Sequence, residues 1–211
     1  MYRSDQINTF SRYSRVSRET IKIFNDYEKI LIKSNKNLNL IGNSTINEIW
    51  NRHFLDSYQV IDFIDENDKT LIDIGSGAGF PGVVLAIAAN DRKMPLKVSL
   101  IEKSIKKNIF LSDAVKKLNL NVKVLCQNVF KEKKINADIV VARAFKPLST
   151  ILELIHNKTI NSKKFFVFLG KTGKKELDLA SKKWHIEYKQ RMSITSNDSF
   201  IIEINKVREK I

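Results

Sequence analysis

A glycine-rich segment followed by an acidic residue is the part of this sequence whose residue types and spacing point most directly to chemistry. The segment reads Asp73-Ile74-Gly75-Ser76-Gly77-Ala78-Gly79-Phe80-Pro81-Gly82. Its glycines allow backbone conformations and close approaches that a Cβ would forbid, so a flat ligand can lie against the turn. Glu102 ends the next apolar run, and a carboxylate there can accept hydrogen bonds from both hydroxyls of a ribose. The two features predict a site for a nucleoside-containing cofactor.

The glycine segment by itself is compatible with two cofactors. Its last three glycines satisfy the dinucleotide pattern G-x-G-x-x-G, and Glu102 lies 20 residues after the final glycine, as that pattern expects. Counted from Asp73, however, D-x-G-x-G-x-G is the usual opening of an S-adenosylmethionine site. We therefore favour S-adenosylmethionine and keep NAD as the alternative. A purely structural turn would leave the position of Glu102 unexplained.

The elements that must position this segment alternate between strand and helix. Short apolar, β-branched runs predict seven strands, near 70–74, 97–101, 122–126, 137–142, 164–169, 184–191 and 199–205. Helices are predicted near 81–90, 104–118, 147–157 and 174–183, and Ser104 is the expected N-cap of the second. Repeated β-α units require a parallel sheet with helices on both faces.

The last two strands are separated only by 193–198, and a connection this short can make only an antiparallel hairpin. The dinucleotide-binding fold continues instead with parallel strands, so the hairpin also favours S-adenosylmethionine. The predicted fold is α/β and Rossmann-like, with a seven-stranded, mostly parallel sheet and an antiparallel last strand. This is the layout of a class I methyltransferase.

The residues before the sheet are predicted to be helical. Apolar residues at three- and four-residue spacings predict an amphipathic helix over Glu19–Lys36, and 37–43 has the composition of a loop. The sequence from Thr45 to Glu48 fits a capping box, which predicts a second helix running to about Phe63. We therefore expect an N-terminal helical extension, 1–66, packed on a methyltransferase domain, 67–211, that forms one structural unit.

Composition sets the broad class of protein. The 211 residues include 37 Lys and Arg against 23 Asp and Glu, and the net charge of +14 favours a polyanion such as nucleic acid as a partner. The alternative is compositional drift, since the chain is rich in Lys, Asn and Ile. One cysteine, Cys126, indicates a reducing compartment. No apolar run approaches the ~18 residues that span a bilayer, so we expect a cytoplasmic protein with no membrane contact.

The sequence lacks the residues that several kinds of chemistry require. The three histidines and one cysteine are too scattered for a metal site, so no metal is expected. Pyrimidine C5 methylation needs a cysteine after the fourth strand, and amine methylation usually relies on an Asn/Asp-Pro-Pro-aromatic turn. Here that place reads Ala142-Arg143-Ala144-Phe145. These absences favour an acceptor with an exposed lone pair, such as guanine N7, which needs alignment but no catalytic side chain.

Three motifs occur in an order and spacing that resemble one known family. They are Arg52-His53-Phe54-Leu55-Asp56-Ser57, the glycine segment, and Arg143-Ala144. They resemble the RsmG family, also called glucose-inhibited division protein B, and the likeness extends over residues 20 to 205. The resemblance implies a class I fold, S-adenosylmethionine as the methyl donor, and methylation at N7 of guanine 527, in standard numbering, of 16S rRNA within the small ribosomal subunit. We expect the protein to act as a monomer.

The resemblance also implies roles for individual residues. Gly75 and Phe80 match family positions that line the cofactor pocket, and Arg143 matches an arginine beside the methionine moiety. Near the adenine the usual Arg-Ala-Glu is replaced by Asn128-Val129-Phe130, so the acidic side chain is missing and Phe130 either packs on the ring or turns away. With the glycine segment included, the predicted cofactor-binding residues are Gly75, Ser76, Gly77, Phe80, Glu102, Val129, Phe130 and Arg143.

Four residues are predicted to contact RNA: Arg52, His53, Lys171 and Lys174. Arg52 and His53 belong to the family motif, and their alternative role is to brace the second helix, with Asp56 orienting them. The two lysines belong to a larger group at the fifth strand and the following helix that includes Lys163 and Lys164. Their alternative is an ordinary solvated side chain. Two other functions stay open at this point, an NAD-linked oxidoreductase and a non-catalytic basic RNA-binding module.

Overall fold

Helices form the first third of the chain. The computed structural model describes residues 2–132, 134–157 and 159–210. It begins with α1 (Arg3–Ser14) and α2 (Arg18–Leu38). A helical segment of mixed geometry follows, made of a 3-10 turn (Asn43–Glu48), a π-helical stretch (Ile49–Leu55), one α-helical turn, α3 (Asp56–Tyr58), and a second 3-10 turn (Gln59–Phe63). We refer to residues 43–63 as the mixed helical segment.

Strands and helices alternate in the rest of the chain. The strands are β1 (Thr70–Ile74), β2 (Lys97–Ile101), β3 (Val122–Leu125), β4 (Ile135–Arg143), β5 (Ile160–Leu169), β6 (Trp184–Met192) and β7 (Phe200–Glu209). The helices are α4 (Gly82–Asp91), α5 (Ile105–Lys117), α6 (Leu148–His156) and α7 (Gly173–Lys183).

The seven strands form one sheet in the order β3-β2-β1-β4-β5-β7-β6. The first five strands in this order are parallel to one another, and β7 is antiparallel to both β5 and β6. The predicted mostly parallel sheet with an antiparallel last strand is therefore confirmed. The short β6–β7 connection produces this arrangement, because it leaves no room for a crossover helix.

Strand register brings the chemically interesting residues to one edge of the sheet. Ile74 at the end of β1 is level with Ile101 at the end of β2, which is level with Leu125 at the end of β3. Arg143 ends β4 beside Phe168 of β5. The loops that leave these parallel strands consequently meet at the carboxyl edge, where ligands bind in open α/β sheets.

Both faces of the central strands are buried, which explains why β1 and the second half of β4 read as nearly continuous apolar runs. On β4, Ile139 and Val141 belong to a hydrophobic cluster that also contains residues of α1, α2, the mixed helical segment, α4 and α5. Val140 and Ala142 alternate with them and belong to a second cluster with residues of α6, α7 and the terminal hairpin. The alternation follows from the two-residue period of a strand.

The second predicted helix differs most from its expectation. The capping box is wrong, because the amide and hydroxyl of Thr45 both donate to Gly42 O, at 2.9 and 2.8 Å, within a 3-10 turn that begins at Asn43. Ser104 does precede α5 in extended conformation, but its hydroxyl makes no cap. Instead Glu102 Oε1 accepts the Ser104 amide at 2.7 Å.

Helix α1 lies within the predicted N-terminal helical extension, although its mostly polar sequence gives no pattern that predicts it individually. Only Gln6, Phe10 and Ser14 are buried on it, so the periodic apolar signal is weak. Phe10 packs edge-on against Phe24 and Trp50, with ring centroids 4.7 and 5.4 Å away. Within the described part of the chain, no helix combines the length and apolar character needed to cross a bilayer.

Candidate active site

A cavity of about 470 Å³ opens at the carboxyl edge of the sheet. Its walls come from the glycine segment, from the residues after β2 and β3, from the loop after β4 and from the mixed helical segment. The residues predicted to bind the cofactor all contribute to it: Gly75, Ser76, Gly77, Phe80, Glu102, Val129, Phe130 and Arg143. The volume lies in the range of natural small-ligand pockets, about 300–1,000 Å³.

The glycine segment is folded back onto the end of β2. The amides of Gly75 and Ser76 both donate to Ile101 O, at 2.8 and 3.1 Å. Gly77 follows with a φ of +56°, a left-handed conformation that L side chains rarely adopt, and a Cβ there would meet only Gly75 O, at 3.8 Å. The turn therefore presents bare backbone to the cavity.

Glu102 joins the glycine segment to the start of α5. Its side chain is buried, its Oε2 accepts the Gly77 amide at 3.0 Å, and its Oε1 accepts the Ser104 amide at 2.7 Å. Each carboxylate oxygen has two lone-pair sites, so each keeps one for a further donor. A carboxylate fixed in the cavity wall with this capacity fits the paired hydroxyls of a ribose.

Asp73 lies below the glycine segment. Burial raises its pKa to about 7, against the opposing effect of the Gly82 amide, which donates to Oδ2 at 2.9 Å. The carboxyl group thus fastens the start of α4 to the end of β1.

Arg143 is held by three groups of the family motif. Its Nη2 donates to Arg52 O at 2.6 Å and lies 3.1 Å from Asp56 Oδ2, and its Nη1 lies 3.2 Å from His53 Nδ1. Burial lowers the pKa of the guanidinium from its usual value, and the charge of Asp56 opposes that shift. Asp56 is therefore the carboxylate partner that a charge at the end of a buried strand requires.

His53 lies inside this network. An arginine has only donors, so His53 Nδ1 accepts from Arg143, and the ring proton is on Nε2, which donates to Thr45 Oγ1 at 2.9 Å. The ring also stacks on Phe80, with centroids 4.9 Å apart and planes inclined by 15°. Burial, together with the charges of Arg143 and Arg52, lowers the pKa of His53 to about 3. The imidazole is neutral at physiological pH.

Two phenylalanines lie at the mouth of the cavity. Phe130 is 45% exposed and stacks on Phe145, with centroids 5.9 Å apart and planes inclined by 16°. Lys146 Nζ lies 5.9 Å from the centre of the Phe130 ring. The Phe145 ring covers Gly75 so closely that a Cβ on that glycine would lie 2.1 Å from Phe145 Cδ2. Phe145 and Lys146 also line the cavity but belong to no motif, and their only signal in the sequence is their place after β4.

The residues predicted to contact RNA occupy different surroundings. Arg52 is partly buried and supplies the carbonyl that holds Arg143, whereas His53 makes inward contacts. Lys171 and Lys174 are exposed beside the end of β5 and on the first turn of α7. For all four residues the RNA contact stays a prediction.

The larger lysine group does not form one surface. Lys163 pairs with Asp138 at 2.7 Å, and Lys164 pairs with Asp65 at 2.6 Å and Asp68 at 2.7 Å. These pairs lie near the start of β1, away from the carboxyl edge where Lys171 is found. Their charges are balanced by neighbouring acids.

The sheet order, the antiparallel β7 and the glycine-lined cavity define a class I S-adenosylmethionine-dependent methyltransferase. A family model described as GidB, rRNA small subunit methyltransferase G, matches residues 20–202. The chain belongs to this family. The resemblance found in the sequence, the predicted class of enzyme and S-adenosylmethionine as its cofactor are thereby confirmed, and the NAD-linked alternative is set aside.

Two relatives carry the name ribosomal RNA small subunit methyltransferase G. The protein from Pelagibacter ubique is 39% identical over 197 residues, covering 92% of this chain and 92% of the relative. The protein from Rickettsia felis is 39% identical over 196 residues, covering 93% of this chain and 98% of the relative.

Solved structures share the fold at low sequence identity. The magnesium protoporphyrin IX methyltransferase of Synechocystis, solved with bound S-adenosylmethionine, aligns with a TM-score of 0.59 at 14% identity, covering 86% of this chain and 97% of that one. An S-adenosylmethionine complex of the protein MtNAS aligns with a TM-score of 0.60 at 11% identity, covering 87% and 74%. Among the described residues, no group of three or more His, Cys, Asp and Glu could hold a metal ion.

Proposed function

We propose that this protein transfers the methyl group of S-adenosylmethionine to N7 of a guanosine in 16S rRNA, at position 527 in standard numbering. The observation that carries the proposal is membership of the rRNA small subunit methyltransferase G family over residues 20–202, together with an intact cavity at the carboxyl edge of the sheet. S-adenosylmethionine supplies a methyl group activated by its sulfonium.

The residues of the cavity bind the cofactor and orient it. The Glu102 carboxylate is placed to accept the ribose hydroxyls, and the bare backbone around Gly77 leaves room for the ligand to lie close. Arg143 is fixed by Asp56 and His53 beside the predicted methionine position. Val129 and Phe130 border the predicted adenine position.

Guanine N7 carries its own lone pair, so the reaction forms an N7–carbon bond and breaks the sulfur–carbon bond without removing a proton. His53 has its nitrogens engaged by Arg143 and Thr45, which agrees with a site that needs no general base. The chain's contribution is alignment of the two reacting atoms, together with electrostatics that tolerate the positive charge transferred to the purine.

The remaining assignments belong to the same proposal. Arg52, His53, Lys171 and Lys174 would contact the RNA, supported by the net charge of +14. The protein would act as a monomer in the cytoplasm, on 16S rRNA within the small ribosomal subunit. Residues 1–66 would form a helical extension packed on the methyltransferase domain, 67–211.

The test is labelled methyl transfer to small subunits that lack the modification and, in parallel, to free RNA. Chain cleavage specific for N7-methylguanine then locates the product. We expect one modified guanine, and no transfer by Gly77→Asp, because Gly77 lines the cavity and its left-handed φ of +56° is strained for any residue with a side chain. Label at a different atom or base would overturn the proposal, and RNA-linked function that survives in Gly77→Asp would favour a non-catalytic role.

A further inference from the structure

A second cavity, of about 330 Å³, adjoins the first. The loop from Arg143 to Lys146 lines both cavities, so the two cavities meet along it. The other walls of the second cavity come from the end of β5, the start of β7, the β6–β7 loop and the start of α7. A ligand in the second cavity therefore lies beside one in the first.

Most polar groups of the second cavity are already engaged. The Asp56 carboxylate accepts from Gln59 at 3.0 Å, Ser193 at 2.8 Å and Thr195 at 3.1 Å, and it is paired with Arg143. The three hydrogen bonds meet at Oδ1, and the ion pair uses Oδ2. Asp56 is thus committed to holding the protein's own groups.

Glu176 is different. Its Oε1 accepts the Thr172 hydroxyl at 2.9 Å, and its Oε2 accepts the Leu148 amide at 3.0 Å. These two bonds fix the plane of the carboxylate, while each oxygen retains a second lone pair. Among the described residues that line the second cavity, Glu176 is thus a carboxylate both oriented and able to accept two more donors.

Two parallel acceptors match guanine and reject adenine. Guanine presents adjacent N1–H and N2–H donors on its Watson–Crick edge, whereas adenine presents an acceptor at N1. That edge lies on the opposite side of the purine from N7, so a base held by it turns N7 away from the carboxylate. Transfer of the methyl group makes the ring cationic, and a nearby carboxylate stabilises that charge.

We propose that the second cavity holds the acceptor guanine and that Glu176 recognises its N1–H and N2–H groups. The inference rests on the proposed function and adds a residue that determines base specificity. Lys146 and Arg52 also line this cavity and would supply hydrogen-bond donors for the guanine O6.

A bracing role for Glu176, through Leu148 and Thr172, is the competing explanation, and Glu176→Gln separates the two. The glutamine Oε1 can keep the Leu148 bond while its NH2 donates to the Thr172 oxygen, so the brace survives. In this variant an NH2 group replaces one of the two carboxylate oxygens that would accept hydrogen bonds from guanine. Asp178→Asn, an exposed position on the same helix, is the matched control for loss of one negative charge.

The experiment compares 16S rRNA carrying guanine or inosine at the acceptor position, since inosine lacks only the N2 amino group. For the wild-type enzyme we expect kcat/KM to fall roughly 5- to 150-fold on inosine RNA. For Glu176→Gln we expect a similar loss on guanine RNA and little further loss on inosine RNA. Affinity for S-adenosylhomocysteine and the melting temperature should be unchanged, and Asp178→Asn should behave as wild type.

Two outcomes would overturn the inference. Wild-type enzyme that uses inosine RNA as well as guanine RNA would show that N2 is not read, and this arm needs no variant. In the second outcome, Glu176→Gln loses as much kcat/KM on changing from guanine RNA to inosine RNA as the wild-type enzyme does. The two losses are then independent, and Glu176 would be assigned to bracing alone. By contrast, wild-type enzyme that places no methyl group on guanine N7 would contradict the proposed function itself.

Discussion

At the scale of single residues, the site is defined by donors and acceptors whose roles determine one another. Arg143 can only donate, so His53 must accept on Nδ1 and donate from Nε2 to Thr45, whose hydroxyl donates to Gly42 O. This chain of bonds connects the end of β4 to the loop after α2. Burial favours the neutral form of His53 most strongly, and protonation would also place a hydrogen against the Arg143 guanidinium.

The lowered pKa of His53 predicts a pH dependence of stability. The folded-state pKa is about 3 and the ordinary value is 6.5, so the unfolded chain binds more protons between these values. The unfolding free energy should therefore fall as pH decreases below 6.5. The variant His53→Gln can make the same two hydrogen bonds but cannot bind the proton. Its slope of unfolding free energy against pH should therefore be smaller, by the equivalent of up to one bound proton. Denaturant unfolding between pH 7 and about pH 4 measures the slopes, with the exposed His185→Gln as control; equal slopes in His53→Gln and wild type would contradict the prediction.

Glu102 leads to a prediction about cofactor affinity. Glu102→Gln keeps the shape of the side chain but removes one acceptor and sets an NH2 group against a backbone donor. Binding of S-adenosylhomocysteine should weaken by about 1.5–3 kcal/mol, the range for hydrogen bonds to charged groups. Isothermal calorimetry measures the change, and the exposed Glu153→Gln on α6 should bind like wild type. Unchanged affinity in Glu102→Gln would remove Glu102 from the ribose site.

At the scale of elements, α2 supports the glycine segment from below. The Tyr27 hydroxyl donates to Ala78 O at 2.5 Å, and the Tyr27 ring stacks on Phe54 of the mixed helical segment at 5.5 Å. Burial raises the pKa of Tyr27 well above its usual value, so the hydroxyl keeps its proton. The helix, the mixed helical segment and the cofactor loop are thereby joined at one side chain.

Tyr27→Phe tests this connection. Removing the hydroxyl leaves the buried Ala78 carbonyl without that donor, so the unfolding free energy should fall by about 1–3 kcal/mol. At about 2–4 °C per kcal/mol for a chain of this size, the melting temperature should decrease measurably. Affinity for S-adenosylhomocysteine should decrease as well, because the glycine segment loses its support. Tyr188→Phe on β6 is the control, and a Tyr27→Phe variant with wild-type melting and affinity would show that the bond contributes nothing.

The elements also show what could be predicted from the sequence. Strands β1 and β2 carry nearly continuous apolar runs and end in distinctive residues, so their bounds and the position of Glu102 were evident. Helix α1 buries too few apolar residues to be seen, and the mixed helical segment departs from a regular period. The cover of Phe145 over Gly75 and the bond from Arg143 to His53 join residues far apart in sequence. Such contacts depend on tertiary packing, which a local pattern does not contain.

At the scale of the whole molecule, the lysines differ in how far neighbouring acids balance their charges. Lys163 and Lys164 are neutralised by nearby acids, whereas Lys171 and Lys174 are exposed beside the second cavity. The net charge of +14 therefore overstates what any one face offers to RNA. At the carboxyl edge, these exposed lysines lie close to the two adjoining cavities.

Salt dependence of RNA binding tests this distribution. Lys174→Ala should reduce the slope of log affinity against log salt concentration by about 0.7–0.9, the value for one lost phosphate contact. Lys163→Ala removes the same charge from the opposite edge and should leave the slope unchanged. Filter binding over a range of salt concentrations measures both, and an unchanged slope for Lys174→Ala would assign that lysine to solvation.

The peptide from Arg143 to Lys146 touches both hollows at the carboxyl edge, and this has a thermodynamic consequence. Any shift of this peptide that favours an occupant on one side alters the space on the other, so the two sites are coupled. Linkage then requires reciprocity: the factor by which the sulfonium donor changes affinity for the nucleotide equals the factor by which the nucleotide changes affinity for the donor. The order in which the two ligands bind is therefore set by their rates, whereas one coupling factor describes the equilibrium effect of each ligand on the other.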